Sequence, residues 1–376
     1  MKWSWRIAKF AGIDVFIHAT FLLIIGWVGL SYWQQTRTLA GTLEGILFVL
    51  LVFAGVVLHE LGHALTARRY GIKTRDITLY PIGGVARLER MPDKPIQEFW
   101  VALAGPAVNV VIATVLFAWL ILSGGLSPLA DQGMTTGPFI QRLMLVNITL
   151  VLFNLIPAFP MDGGRVLRAL LAMRLEYTRA TQIAATIGQG LALVLGFIGL
   201  FSNPFLIFIA FFVWIGAAQE ASMVQMKSAL GGIPVQRVTV TDFQTLSPND
   251  TLHKAVELIL AGSQTDFPVV DGDSVVGVLT RADVLAALSR QEQSTPVVRL
   301  MRRDFQVAEV NEMLEPAFIR LQSCGCHTMP VTAQGRLVGL LTTENVGEFL
   351  MIQSALRQAR SQNMNSRPFG ANPSQG

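Results

Sequence analysis

Two histidines four residues apart, with a glutamate directly after the first, are the residues of this 376-residue chain best able to do chemistry: Leu58-His59-Glu60-Leu61-Gly62-His63. On a helix, residues i and i+4 share a face. His59 and His63 can therefore reach one metal ion, and H-E-x-x-H is a spacing at which two imidazoles hold Zn2+. Glu60 stands beside the first ligand and can take the proton of a water that the metal activates. A catalytic zinc uses three protein ligands and leaves one position open, so a third donor is expected on another segment. Asp162 is the candidate. It is a lone carboxylate in the apolar stretch Asn154-Leu155-Ile156-Pro157-Ala158-Phe159-Pro160-Met161-Asp162-Gly163-Gly164. The alternative makes Asp162 the cap of a helix that starts near Gly163.

The elements that carry these residues are apolar. Hydrophobic residues make up 52% of the chain and charged residues 14%, against about a quarter charged in soluble domains. The net charge is +4, with basic residues spread between apolar runs. That argues against a nucleic-acid partner, which would need them on one face. Runs long enough to span a bilayer are expected at about 15–34, 43–66, 99–122, 140–157, 183–200 and 204–222. The fold class expected is thus a multi-pass α-helical membrane protein with six transmembrane helices, facing membrane lipid. Basic loops (Arg68, Arg69, Lys73, Arg75, Arg87, Arg90 and Lys94; then Arg165, Arg168, Arg174 and Arg179) alternate with neutral ones. The positive-inside rule then places both termini in the cytoplasm, in the inner membrane of the cell. The first apolar run lacks the short core and small-residue cleavage site of a signal peptide. With the motif near the basic end of the second run, and Asp162 in a basic loop, the three candidate ligands fall at one membrane depth.

Residues 71–97 alternate polar and apolar from Lys73 to Tyr80, and Gly83-Gly84 can turn the chain into a second strand, Val85–Leu88. If the metal-activated water that H-E-x-x-H serves attacks a peptide bond within a membrane helix, that helix must first unwind, because its amides are internally bonded. An edge strand at Gly83 and Gly84 could pair with that unwound segment; a plain hairpin is the alternative. Asn109 and Asn154 are intramembrane amides that either polarise a scissile carbonyl or bond helix to helix. For Asn154 the first role is favoured, for Asn109 the second. His18 reads as an interfacial or structural histidine rather than a ligand.

Past Gln225 the composition becomes that of a soluble domain. Residues 252–288 and 314–350 repeat at an offset of 62, pairing Phe267-Pro268-Val269 with Met329-Pro330-Val331 and Gly277-Val278-Leu279-Thr280 with Gly339-Leu340-Leu341-Thr342. Each copy is expected to run helix, strand, turn, strand, helix. Cys324 and Cys326, the only cysteines, are expected on an extended stretch, unbridged and in a reducing setting.

The membrane half resembles the site-2 proteases, a family of intramembrane zinc metalloproteases. His59, Glu60 and His63 match its first motif, and Asn154, Pro157, Asp162 and Gly163 its N-x-x-P-x-x-x-x-D-G motif. Pro81-Ile82-Gly83-Gly84 and Ala104-Gly105-Pro106-Ala107-Val108-Asn109 extend the likeness over about 1–225. The second half resembles an α/β CBS pair, at 226–352 with copies near 236–292 and 296–352, before a disordered tail at 353–376. The resemblance implies one Zn2+ that helps hydrolyse peptide bonds of membrane-protein substrates, such as single-span proteins already trimmed by another protease (an anti-sigma factor, for example). For the CBS pair it implies an ATP- or AMP-type site with Thr280 and Asp283, which equally form a capping box; Asn345 replaces the aspartate in copy two. The competing readings are a CBS-gated metal transporter or channel, and an inert scaffold. The absence of repeated membrane halves argues against the transporter, and the presence of Glu60 against both.

Overall fold

The computed structural model describes residues 3–365 apart from 82, 91, 93, 127–136, 291–293 and 325. Contacts divide the chain into two compact units, Met1–Gln225 and Met226–Gly376.

The first unit opens with strands β1 (Ser4–Phe10) and β2 (Ile13–His18), followed by helices α1 (Phe21–Thr36) and α2 (Leu39–Arg69). Strands β3 (Thr74–Tyr80) and β4 (Gly83–Leu88) come next, then α3 (Pro95–Leu122), α4 (Phe139–Asn154), α5 (Asp162–Ala172), α6 (Tyr177–Phe201) and α7 (Phe205–Leu230). The strands form one sheet in the order β1-β2-β3-β4, antiparallel except for the parallel β2–β3 pair. The alternation read at 73–80 is the reason for its placement. Ile77 and Leu79 join Ile13 and Val15 in a core with Phe53, Val57 and Leu61 of α2. Asp76, on the other face, holds Arg87 at 2.8 Å. Arg68 and Arg69 close α2, where cations suit the negative end of the helix dipole.

The expectation of six membrane-spanning helices is corrected. Among the described residues four helices are long and apolar enough to cross: Leu39–Arg69, Pro95–Leu122, Tyr177–Phe201 and Phe205–Leu230. The first expected span fails because residues 13–18 are drawn out as a strand hydrogen-bonded on both sides, which leaves α1 with 16 residues. The fourth ends at Asn154, also with 16 residues. At 1.5 Å per residue each covers about 24 Å, short of a hydrocarbon core of about 30 Å. The multi-pass character stands. Val111, Val115 and Trp119 of α3, Leu193 and Phe197 of α6, and Phe208, Phe211 and Phe212 of α7 all face outward exposed, a surface that lipid rather than water would cover.

The second unit contains the repeat. Its first copy is α8 (Leu252–Ala261), β5 (Phe267–Asp271), β6 (Ser274–Leu279) and α9 (Arg281–Ser289). Its second is β7 (Ala308–Glu309), α10 (Leu314–Ser323), β8 (Thr328–Ala333), β9 (Arg336–Thr342) and α11 (Thr343–Asn365). Residues 62 apart occupy matching core positions: Leu252 and Leu314, Ala255 and Ala317, Val269 and Val331, Leu279 and Leu341 are all wholly buried. The copies also exchange backbone. Val240 bridges Leu340 of the second copy, and Arg302, 62 residues on, bridges Val278 of the first. Such reciprocal pairing makes the two copies one module. Helix α11 continues past Gln353, where a disordered tail was expected to begin; residues 366–376 lie outside the described residues. Cys324 and Cys326, expected unbridged, are joined in a disulfide. Cys324 is the C-cap of α10, in helical rather than extended conformation, and Cys326 precedes β8. Their Cα atoms lie 5.2 Å apart, within ordinary disulfide reach.

Candidate metal centre

His59 and His63 project from one face of α2, and Asp162 is the first residue of α5. Their donor atoms form a triangle. His59 Nε2 and His63 Nε2 each lie 3.1 Å from Asp162 Oδ2 and 3.1 Å from each other. All three residues are buried. His63 Nδ1 donates to the carbonyl oxygen of Val101 on α3 at 2.7 Å. That bond fixes its tautomer and turns the Nε2 lone pair into the triangle. Donors bound tetrahedrally to zinc at about 2.0–2.1 Å stand roughly 3.3 Å apart, so the triangle fits one zinc ion with a further position left open. Asp162 caps nothing: Met161 is the N-cap of α5, and no side chain caps that end.

Small residues make the convergence possible. A Cβ built on Gly105 of α3 would stand 2.2 Å from His63 Nε2 and 2.6 Å from His59 Nε2, inside the space the donors occupy. Asp162 is presented by a turn packed just as tightly. A Cβ at Gly163 would meet the carbonyl oxygens of Ile156 and Leu155 at 2.3 and 2.4 Å. The peptide Phe159-Pro160 in that turn is cis, and Ala158 and Phe159 are wholly buried.

Glu60, half-buried, lies against the start of β4: a Cβ at Gly84 would come within 2.9 Å of its Cγ. Gly83, with φ of +139°, is the residue at which the chain enters β4, an outer strand of the sheet. Asn154 is the last residue of α4 and half-buried. Asn109 lies one turn beyond Gly105 on the same side of α3, 1% exposed, with its Oδ1 unpartnered among the described residues. Asn147, not singled out from the sequence, is likewise buried with an unpartnered Oδ1, near Gly55 of α2. His18 bonds to Thr20 at 2.8 Å and stacks on Tyr80, apart from the triangle. Val101 was missed, and Gly105 entered only as part of the stretch 104–109, with no role given to it. The signal for Gly105 was legible: Gly105-Pro106 inside a helix costs propensity twice over, and close approach is the usual reason for such a glycine.

In the second unit Thr280 and Asp283 form the expected capping box at the start of α9. Asp283 is also gripped by Arg302, with Nε at 2.8 Å and Nη2 at 3.1 Å. Asn345 donates to the carbonyl of Val238 at 2.6 Å. A cavity of about 840 Å³ lies beside the box, lined by Thr280, Arg281, Arg302, Arg303 and Phe305 among others.

With this geometry in view, comparison with known proteins is specific. The model of peptidase family M50 matches residues 47–137 and 123–195, and that of the CBS domain matches 235–290. A zinc metalloprotease of Methanocaldococcus jannaschii is 37% identical over 281 residues, 74% of this chain and 78% of its own length. A Synechocystis chain named as a zinc metalloprotease is 30% identical over 371 residues, 93% of this chain and 96% of its own. The solved site-2 protease of M. jannaschii is 41% identical over 58% of this chain and 95% of its own, with a TM-score of 0.43. The chain belongs to peptidase family M50, its peptidase region joined to a CBS pair.

Proposed function

We propose that this protein is an intramembrane zinc metalloprotease that hydrolyses peptide bonds of membrane-protein substrates and carries a CBS pair as a regulatory module. The observation that carries the reading is the buried triangle of His59, His63 and Asp162 with Glu60 alongside, inside an apolar multi-helix unit. His59, His63 and Asp162 would hold the zinc. When bound, the ion supplies Lewis acidity toward water and the scissile carbonyl. Glu60 accepts the proton that the attacking water loses and returns it to the departing amine as the C–N bond breaks. Burial excludes bulk water from the triangle, which strengthens electrostatic contacts there. Asn154 is the amide we assign to the scissile carbonyl, to which it would donate through Nδ2, while Asn109, buried on α3, is assigned to helix packing. The outer edge of β4, beginning at Gly83 and Gly84 against Glu60, is where an unwound substrate segment would add as a strand.

The sidedness we infer rests on charge. Pairing of β2 with β3 gathers the N-terminal strands and the basic segment 70–94 at one end, the arrangement that the positive-inside rule assigns to the cytoplasm. The CBS cavity, with Arg281, Arg302 and Arg303 on its wall, suits an adenine nucleotide, for which Arg302 would release Asp283 or share it.

The deciding experiment is capture of uncut substrate by full-length Glu60→Gln protein in membranes. Recovery of one or more membrane proteins that the wild type cleaves supports the reading; cleavage by the variant overturns it. Calorimetric titration of the full chain with ATP, ADP and AMP tests the nucleotide site, and no heat at millimolar nucleotide would remove it.

A further inference from the structure

Arg168 is the largest wholly buried side chain among the described residues. By sequence it belongs to a basic loop flanking the membrane, yet the fold takes it inside. Its Nε donates to Glu98 Oε1 of α3 at 2.8 Å, and its Nη2 donates to the same oxygen. Its Nη1 donates to Glu220 Oε1 of α7. The guanidinium also sits 5.0 Å from the ring centre of Phe159 and 5.1 Å from that of Tyr177. Removing such charges from water is costly, and apolar residues of like volume often serve stability as well. Stability is therefore a poor account of the cluster, whereas its position supplies one. Glu98 lies one helical turn before Val101, which orients His63, and two before Gly105, which admits both imidazoles. Arg168 lies six residues after Asp162 on the 11-residue α5. Phe159, under the guanidinium, belongs to the turn that delivers Asp162. The ion pair thus joins the helix that supports the two histidines to the helix that carries the third ligand. Metal–ligand distances tolerate only about 0.2 Å, and helices held by apolar packing alone can slide by more.

We propose that Glu98 and Arg168 are positioning residues for the zinc centre, setting Asp162 against the histidine pair, with Glu220 steadying the guanidinium from α7. This rests on the reading of His59, His63 and Asp162 as ligands.

The test uses full-length protein in detergent, loaded with Zn2+ or Co2+. Zinc affinity is measured by competition with a chelator, and geometry by the visible ligand-field spectrum of the Co2+ form. Arg142→Met is the control. Arg142 is buried and paired with Glu44, which precedes His59 by 15 residues on α2, about 22 Å along the axis. Glu98→Gln and Arg168→Met are expected to weaken zinc binding by about tenfold or more and to alter the Co2+ spectrum. Arg168→Lys, keeping the charge but not the fork, is expected to fall between. Arg142→Met should lower Tm and leave both metal readouts unchanged. If Arg168→Met does not fold, Glu98→Gln and Arg168→Lys decide. Unchanged affinity and spectrum in these variants, with Tm lowered as in the control, overturns the proposal. Asp162→Ala run alongside separates the two readings: if it too binds zinc normally, the ligand assignment has failed, not the positioning role alone.

Discussion

At the scale of single residues the centre depends on what each side chain presents and on what is missing beside it. Glu60→Gln keeps the shape of the side chain and removes its basicity. Proteolysis is expected to fall at least a hundredfold, the lower range for a general base, with zinc content unchanged by elemental analysis; substantial remaining activity would take Glu60 out of the mechanism. Gly105→Ala puts a methyl where the donor atoms converge. It should lose zinc as severely as Asp162→Ala does, although an alanine suits a helix better than a glycine by about 1 kcal/mol. Stoichiometric zinc in Gly105→Ala would mean that α3 can back away from the histidines.

At the scale of elements, a strand and a cap are open to test. Gly84→Ala introduces a Cβ against Glu60 Cγ and Val56 Cγ1, each 2.9 Å away. It does not touch the three ligands, so turnover should drop roughly tenfold or more, the effect of a misplaced catalytic group, while zinc stays bound. Full activity would separate β4 from the reaction. In the CBS unit, burial alone would raise the Asp283 carboxyl, but the bonds from Arg302 and Thr280 outweigh it and hold the group below its ordinary range. A group lowered on folding stabilises above its unfolded value of about 3.9, and that stabilisation disappears as pH falls through the folded value. Asp283→Ala is therefore expected to cost the CBS unit about 1 kcal/mol near neutral pH, with the gap to wild type closing below about pH 4. Thermal melts at pH 7 and pH 3 measure it, and an equal gap at both would exclude the charge as its source.

At the scale of the whole molecule, the inferred sidedness can be read by labelling. In a background without Cys324 and Cys326, cysteine in place of exposed Gly125, beyond α3, should react with an impermeant reagent added to intact cells. Cysteine in place of exposed Arg75, on β3 at the basic end, should react only after lysis. The reverse pattern would invert the orientation.

The sequence alone determined much of the local geometry, because the relevant spacings are short or repeated. His59 and His63 must share a helical face wherever the helix lies, an offset of 62 must duplicate a core, and alternation at 73–80 must put Ile77 and Leu79 on one side of a strand. Asp162 was legible as a carboxylate without local company, but whether it capped a helix or met the histidines depended on how the 155–161 turn packs, a matter of contacts across about a hundred residues. Span counting failed for the same reason. Hydropathy measures apolar length and not conformation, so it could not tell that 13–18 would leave the membrane run to pair with β3, or that α4 would stop at Asn154. Composition placed Arg168 among solvated flanking charges. Only tertiary structure brought Glu98 and Glu220 to it from 70 and 52 residues away, because a buried guanidinium is tolerable only where carboxylates already wait for it.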